Sequence, residues 1–270
     1  MKVSVFDLQG NVVEKIELPK VFHEPIREDL ILRAFLATMS KKRQPYGTDV
    51  MAGKRTSAHY HGVRRERWTM MNREMARLPR LHGKGVPLQL IWEARFVPGA
   101  KGGRKAHPPK VEKIWEQKIN KKERKKAIRA AIAATALKEL VSKRGHKIEE
   151  INELPIIVED KIQEIKKSKE LVEFLKRIGL GKELERVRKK KVRAGKGKMR
   201  GRKYKRKKGP LMVITEDKGV SKAVRNLPGF EVCKVENLSV EKLAPGATPG
   251  RLAIFTKSAI EKLREMYGSV

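Results

Sequence analysis

The histidines are the side chains of this chain best suited to metal binding or to acid–base chemistry near neutral pH. His59 and His61 lie two residues apart, with no cysteine or carboxylate at a ligand spacing beside them. The pair therefore predicts no metal site. The other histidines are isolated in the sequence and are expected to be structural or solvated; they are His23, His82, His107 and His146.

Two acidic pairs, Glu159-Asp160 and Glu216-Asp217, follow strand-like apolar runs, where catalytic acids do occur. Acids at such positions are just as common as helix-capping and solubilising residues. Cys233 lies in a strand-like run and is expected to be a small, buried apolar residue. No nucleophile, base and orienting group stand together. The sequence therefore predicts that the protein is not an enzyme.

Glycine spacing tests for a nucleotide cofactor. A dinucleotide-binding turn needs G-x-G-x-x-G directly after a strand, so that the pyrophosphate meets a helix N-terminus. Gly195, Gly197 and Gly201 have a different spacing and follow a cationic run, and no G-x-x-x-x-G-K-[ST] occurs. We therefore predict that the protein binds no cofactor.

The strongest chemical signal is unbalanced positive charge. Lys and Arg number 65 against 31 Asp and Glu, which gives a formal net charge of +34. Two segments concentrate it: residues 41–110 hold seventeen cations against four acids, and residues 186–208 hold fifteen cations and no acid. Self-repulsion on this scale opposes a compact state, so we predict a polyanionic partner. With 39% hydrophobic residues, the chain can still build a folded core.

The residues mixed with these cations indicate which polyanion binds. Aromatic residues and repeated glycines lie among the cations of the long segment. Lys and Arg neutralise phosphates, while aromatic rings and histidines stack on the unpaired bases that folded RNA exposes. The helix-turn-helix, finger or basic helix typical of duplex DNA readers is not recognisable. Folded RNA is therefore the expected partner.

Candidate RNA-contacting residues fall in both cationic segments. In the first they are Lys54, Arg55, His59, His61, Arg64, Arg65, Arg67, Arg77, Arg80, Lys84, Arg104, Lys105, His107 and Lys110. In the second they are Arg193, Lys196, Lys198, Arg200, Arg202, Lys203, Lys205 and Arg206.

The elements that must position these residues alternate between strand and helix. Val3 to Leu18 reads as a β-hairpin with its turn at Gly10-Asn11, and residues 26–43 read as a helix. A helix begins at Asn120 with a capping box to Glu123 and runs to Gly145, and another is capped by Ser168 and ended by Gly179. Strand-like runs cover 154–158, 211–215, 232–235 and 252–256, and a last helix carries Ile260 and Leu263.

Val- and Ile-rich strands separated by helices favour an α/β fold with a mostly parallel sheet and helices on both faces. We expect a Rossmann-like body with a long, extended basic internal loop and a second basic insertion. The expected divisions are a hairpin and helix at 1–43, an extended RNA-penetrating loop at 44–110, and the rest of the body at 111–270 with the insertion at 186–208.

Membrane and secreted classes are not expected. No run approaches the roughly 18 apolar residues of a membrane span, and Met1 to Asp7 lacks the apolar centre of a signal peptide. A single cysteine cannot form an intramolecular disulfide. We expect a chain in the cytoplasm, with no membrane partner and no homo-oligomer.

Several strings have a family likeness. The long loop opens with Pro45-Tyr46-Gly47-Thr48-Asp49 and Ala52-Gly53-Lys54-Arg55-Thr56-Ser57-Ala58, and closes with Gly103-Arg104-Lys105-Ala106-His107-Pro108-Pro109-Lys110. Others follow in Asn120–Arg124, Ala130–Ala136, Arg193–Gly201, Leu243–Gly246 and Pro249–Arg251. In order, and over essentially the whole chain, these strings resemble the archaeal and eukaryotic branch of the large ribosomal subunit protein four family.

The resemblance implies an α/β body on the outer surface of the large ribosomal subunit, and a long loop that threads ribosomal RNA to the wall of the polypeptide exit tunnel. It also implies early binding during assembly, neighbouring ribosomal proteins and a transient nascent polypeptide as partners, and no chemistry. The tunnel-facing tip would be Gly62, Val63, Arg64 and Arg65. The chain departs from the family pattern here, because Arg64 stands where a second glycine is usual and residues 65–85 are bulkier.

Two other functions compete with this interpretation. An RNA-modifying enzyme with a Rossmann-like domain would need a cofactor pocket at the carboxyl ends of its strands, which the glycine pattern does not support. A DNA-compacting protein would bind duplex DNA as well as folded RNA at matched salt.

Overall fold

The computed structural model describes residues 1–267 and is an α/β structure. Its strands are β1 Lys2–Phe6, β2 Val12–Glu17, β3 Ile156–Val158, β4 Lys190–Val192, β5 Tyr204–Arg206, β6 Leu211–Ile214, β7 Glu231–Lys234 and β8 Ala253–Thr256. Its α-helices are α1 Glu28–Lys41, α2 Lys121–Ala133, α3 Lys138–Lys143, α4 Ser168–Arg177, α5 Gly181–Arg188, α6 Val220–Arg225, α7 Val240–Leu243 and α8 Lys257–Tyr267. Single turns of 3₁₀ helix lie at Lys20–His23, Leu88–Leu90, Asp160–Glu164, Lys196–Lys198, Val235–Asn237 and Pro245–Ala247.

Six strands form one mixed sheet in the order β2-β1-β3-β8-β6-β7. The β1–β2 hairpin is its only antiparallel pair, and Gly10 turns it with a positive φ of 90°. Each remaining neighbour pair is parallel. The expected hairpin and the mostly parallel α/β sheet are confirmed.

The sheet separates two apolar clusters because successive side chains of a strand point to opposite faces. Ile157 and Phe255 belong to one cluster, where the ring of Phe22 meets that of Phe255 edge-on at 5.6 Å. The adjacent Ile156 and Ile254 belong to the other cluster, with Phe174 of α4. Strands buried on both faces explain the continuous Val and Ile runs of the sequence.

The single helix expected from Asn120 to Gly145 is wrong, although the capping box between Asn120 and Glu123 is present. The helix stops at Ala133, and α3 begins only at Lys138. Thr135 is fully buried, and its hydroxyl donates to the Ile132 carbonyl at 2.7 Å. A local hydrogen bond of this kind competes with the helical backbone pattern and favours a turn.

Two other helix starts differ from the expected ones. The first helix begins at Glu28 rather than Ile26. Ser168 is the first residue of α4, not its cap; Lys167 holds the cap position without a side-chain hydrogen bond. Gly179 ends that segment with a φ of 90°, as expected.

The chain divides into two compact units, one of Met1–Lys41 with the chain from Glu116 onward, and one of Lys42–Trp115. The second unit, here called the loop unit, contains little regular structure. It has the turn at Leu88–Leu90 and two single antiparallel bridges, His59 with Arg80 and Arg80 with Ala94. The first unit, here called the body, contains the sheet and all eight α-helices of residues 1–267. None of these helices is long and apolar enough to cross a membrane.

Candidate nucleic-acid interface

The two ends of the loop unit meet in an aromatic stack with cations on it. Tyr46 and Trp115 stack at 5.4 Å between ring centroids and 18° between planes. The Arg43 guanidinium lies 3.9 Å from the Trp115 ring centroid and the Lys113 ammonium 4.4 Å from it. An aromatic face with cations above it suits base stacking and phosphate binding together. Sequence reasoning missed Arg43, Lys113 and Trp115, although an aromatic residue near cations just outside 44–110 was the available signal.

The opening and closing strings of the loop unit lie against each other. Gly53 has a φ of 72°, and a Cβ there would overlap the Gly103 carbonyl and the Arg104 amide. Arg104 N–H in turn donates to the Phe96 carbonyl at 3.3 Å. Only glycine permits this backbone approach. The two segments that carry the family resemblance, around Gly53 and around Gly103, are therefore adjacent in space although they are far apart in sequence.

Arg80 serves the loop unit internally. Its backbone pairs with His59 and with Ala94, and its guanidinium donates to the carbonyls of Ala76 at 3.0 Å and Trp92 at 2.7 Å. A guanidinium with these partners has fewer donors left for phosphate. Arg80 is among the expected RNA contacts, and in the structure it holds three backbone segments together.

His82 is not the isolated histidine that the sequence indicated. Its ring centroid lies 4.2 Å from that of His59 and 4.7 Å from that of His61, and Trp68 stacks on it at 5.5 Å and 12°. Trp92 completes the group at 5.7 Å. Burial, together with the two neighbouring imidazoles, lowers the pKa of His82. The antiparallel bridge between His59 and Arg80 joins the two segments that carry the cluster, and His61 and His82 each lie two residues beyond a bridge residue.

Most of the expected RNA-contacting residues of the loop unit present their side chains to solvent. Lys54, His61, Arg80 and Arg104 are half-buried, and the exposed ones are Arg55, His59, Arg64, Arg65, Arg67, Arg77, Lys84, Lys105, His107 and Lys110. Arg55 is also paired with the Asp49 carboxylate. Exposed cations with so few acids beside them have the charge that phosphate binding requires.

The expected tip residues lie on a closed turn. Gly62, Val63, Arg64 and Arg65 are all exposed. Behind them the Met70 amide donates to the His61 carbonyl at 3.1 Å, and the Met70 side chain is buried. The turn therefore points small and cationic side chains outward and anchors itself through Met70.

The second cationic segment is a β-hairpin made of β4 and β5. Its cross-strand pairs place Lys190 opposite Arg206 and Lys191 opposite Lys205. Like charges directly opposite one another destabilise a strand pair. Lys196, Lys198, Arg200, Arg202, Lys203, Lys205 and Arg206 are exposed, and Arg193 is half-buried. An anion bound along this hairpin would remove the repulsion.

The ends of this hairpin are tied to the body. Arg186 donates to both carboxylate oxygens of the fully buried Glu183, at 2.6 and 2.7 Å, and to the Lys208 carbonyl at 2.7 Å. His146 lies 2.7 Å from the same carboxylate. Burial alone would raise the pKa of Glu183, but hydrogen bonds from Arg186 and His146 outweigh it and hold the pKa below its usual value. Burial lowers the pKa of His146. Arg186 is thus a structural anchor, although it lies within the segment expected to be a basic insertion.

The carboxyl edge of the sheet, where a cofactor would sit in an α/β enzyme, is occupied by the protein's own polar groups. Asp160 Oδ1 accepts from the Ser258 amide at 3.1 Å and from the Ser258 hydroxyl at 2.6 Å, at the start of α8. Gln163 Oε1 accepts from the Glu216 amide at 2.9 Å. Cys233 is buried, and burial raises the pKa of its thiol. Asp160 thus caps the start of α8, and a buried thiol with a raised pKa has little thiolate character near neutral pH.

An α/β body with two exposed cationic segments has the charge pattern expected of a nucleic-acid-binding structural protein. Comparison with known proteins gives the particular family. Residues 16–266 match the model of the ribosomal protein L4/L1 family. The chain belongs to this family, whose members are ribosomal components rather than enzymes.

Individual relatives match over nearly their full length. Three are named large ribosomal subunit protein uL4. The protein of Methanosphaera stadtmanae is 47% identical over 98% of this chain and 97% of its own length. The protein of Methanopyrus kandleri is 45% identical over 99% of this chain and 100% of its own length. The protein of Nanoarchaeum equitans is 49% identical over 98% of each chain. The suspected family is therefore confirmed.

Proposed function

We propose that this chain is a structural constituent of the large ribosomal subunit that binds ribosomal RNA, aids early assembly and lines part of the polypeptide exit tunnel with its long loop. The observation that carries the proposal is the exposed cation density of residues 44–110 and 186–208, in a chain whose relatives are large-subunit proteins. Arg and Lys bind phosphates, and aromatic rings and imidazoles stack on bases. A Rossmann-like body without a cofactor serves as the scaffold.

The same physical argument defines the partners. Ordering an exposed backbone costs about 1–2 kcal/mol per residue, and few buried side chains offset that cost in the loop unit. Phosphate contacts with ribosomal RNA supply the remainder. Neighbouring ribosomal proteins contact the body, and a nascent polypeptide passes the exposed turn at Gly62 to Arg65. The protein acts in the cytoplasm, within the ribosome.

The test measures binding of the full chain to large-subunit ribosomal RNA and to duplex DNA of equal length over a series of salt concentrations. We expect tighter binding to the folded RNA at each salt concentration, with a steep linear fall of log K against log salt. Equal affinity for both polymers would identify a DNA-compacting protein. A rise in unfolding temperature with S-adenosylmethionine would instead favour an RNA-modifying enzyme, and we expect none.

A further inference from the structure

Three imidazoles converge inside the loop unit. His59, His61 and His82 each offer one ring nitrogen, and these three nitrogens lie within 4.8 Å of one another. Tetrahedral coordination at about 2.0–2.1 Å separates two ligand nitrogens by about 3.3 Å. Small rotations of the rings would therefore place all three on one ion. No other group of three or more such ligands occurs among residues 1–267.

The hydrogen bond of His59 prepares its ring for coordination. Its Nδ1 lies 2.9 Å from the Ser57 carbonyl oxygen, which can only accept, so Nδ1 carries the proton. The Nε2 of His59 then presents a lone pair, and it lies directly against the Nε2 of His61. A metal-binding histidine is commonly oriented in this way by a carbonyl on its other nitrogen.

His82 provides an independent sign of a missing partner. Its side chain is buried, and its Nε2 has no hydrogen-bond partner among the described residues. A buried polar atom without a partner is costly and requires an explanation. Trp68 and Trp92 cover the ring, while His59 is exposed and His61 half-exposed. The cluster thus has an apolar shell on one side and an opening to solvent on the other.

We propose that His59, His61 and His82 bind a zinc ion, with the fourth coordination position open to water or an external ligand. Neutral imidazole is a preferred ligand of zinc, and three histidines with one open position are an established zinc arrangement. The ion would join the chain at 59–61 to the chain at 82. It would fix the turn between them, in a unit where otherwise only Met70 is buried. Metal binding supplies folding free energy where a core is too small to do so.

The experiment uses the full chain, prepared without a histidine tag and freed of metal with a chelator. Calorimetric titration with zinc chloride should show one tightly bound ion per chain. The emission of Trp68 and Trp92 should change at the same stoichiometry, measured in a Trp115→Phe background. Substitution His82→Ala should weaken zinc binding at least about tenfold. His82→Cys should retain it, because thiolate is also a zinc ligand.

His107→Ala is the matched control, since His107 lies exposed in the same unit outside the cluster. It should leave the affinity unchanged, and circular dichroism should show the body helices intact in every variant. Absence of stoichiometric binding by the unsubstituted chain would overturn the proposal. So would equal loss in His82→Ala and His107→Ala, which would indicate adventitious binding by surface histidines.

Discussion

The body and the loop unit achieve their structure by different means. The body buries two apolar clusters on the faces of its sheet. Within residues 42–115 only Met70 and His82 are buried. The loop unit also contains six non-glycine residues with positive φ, including Trp68 and Trp92, whereas Ala247 is the one such residue among 1–41 and 116–267. Bulky residues in that conformation persist only where their surroundings hold them.

This contrast explains where the two units obtain their free energy. Burial of apolar surface provides about 25 cal/mol per Å², so the body can fold on its own side chains. The loop unit cannot draw on that source. Its aromatic rings, cations and close glycine contacts instead suit an external surface of phosphates and bases. The same polypeptide thus contains one part that folds by burial and one whose order, on the proposed function, depends on its RNA partner.

Excision of the loop unit should have the largest effect. The Lys41 ammonium and the Glu116 carboxylate lie 2.8 Å apart, so a short Gly-Ser linker can replace residues 42–115. Neither apolar cluster includes a residue from that range. We expect the unfolding temperature of the body to change little, while affinity for large-subunit ribosomal RNA falls at least about a thousandfold at moderate salt. Calorimetry and filter binding measure the two results. Loss of the cooperative body transition would show that the units are not energetically separate.

The next largest effect should be a difference in stability cost between truncating one aromatic side chain in the body and one in the loop unit. Phe255 is fully buried and contacts Phe22, so Phe255→Ala should cost about 3–5 kcal/mol of unfolding free energy. Phe96 is 37% exposed, and Phe96→Ala should leave the body transition unchanged. Urea denaturation followed by far-ultraviolet circular dichroism reports both values. Equal costs would contradict the assignment of stability to the body.

The buried ion cluster at the start of the β4–β5 hairpin should make the free energy of unfolding depend on pH. Glu183→Gln should cost about 3–5 kcal/mol at pH 7, because Arg186 is left without its carboxylate. The folded-state pKa of Glu183 is lowered, so its stabilisation is complete above the unfolded value of about 4.3 and is lost as pH falls through the folded value. The lowered pKa of His146 removes further stability below about pH 6.5.

Urea denaturation of the unsubstituted chain and of Glu183→Gln between pH 8 and pH 3.5 checks this dependence. Both proteins should become less stable on acidification, and the difference between their free energies of unfolding should narrow below about pH 4.3. A difference that widens below that pH would contradict the assigned direction of the Glu183 pKa shift.

The smallest expected effect is the loss of RNA affinity when individual cations of the β4–β5 hairpin are removed. Arg200 and Arg202 are exposed with no acid in the segment, so Arg200→Ala with Arg202→Ala should reduce the salt slope of RNA binding by roughly 1.4–1.8. Lys161 and Lys218 are exposed but paired with Glu159 and Glu164. Alanine at both of these positions is the matched control and should leave the slope unchanged. The same reduction in both double variants would indicate attraction by net charge rather than contact.

Local patterns in the sequence were sufficient for much of the body. The alternating Val3 and Val5, followed by a turn at Gly10, predicted the hairpin. The runs of Ile and Val predicted buried parallel strands. Both patterns depend only on residues that are close in the chain, so the sequence reports them directly. The break at Thr135 depends on tertiary burial, which no local pattern reports. The helix was therefore predicted too long.

In the loop unit the sequence showed which residue types are present but not which of them meet. The cluster of His59, His61 and His82 and the internal contacts of Arg80 lie where single bridges join distant segments. A bridge of one residue pair leaves no repeating pattern in the sequence, so it cannot be predicted from periodicity. Cation density predicted where an interface would lie, and most of those side chains are exposed. The partners of individual side chains could be found only from the fold.

Hydrogen–deuterium exchange tests the dependence of residues 44–110 on RNA most directly. It is measured on the isolated chain and on the chain assembled in the large subunit, with the strands β3, β6 and β8 as an internal reference. We predict protected strands in both samples, and a loop segment that exchanges rapidly alone and slowly in the subunit. Equal protection of residues 44–110 in the two samples would contradict the account.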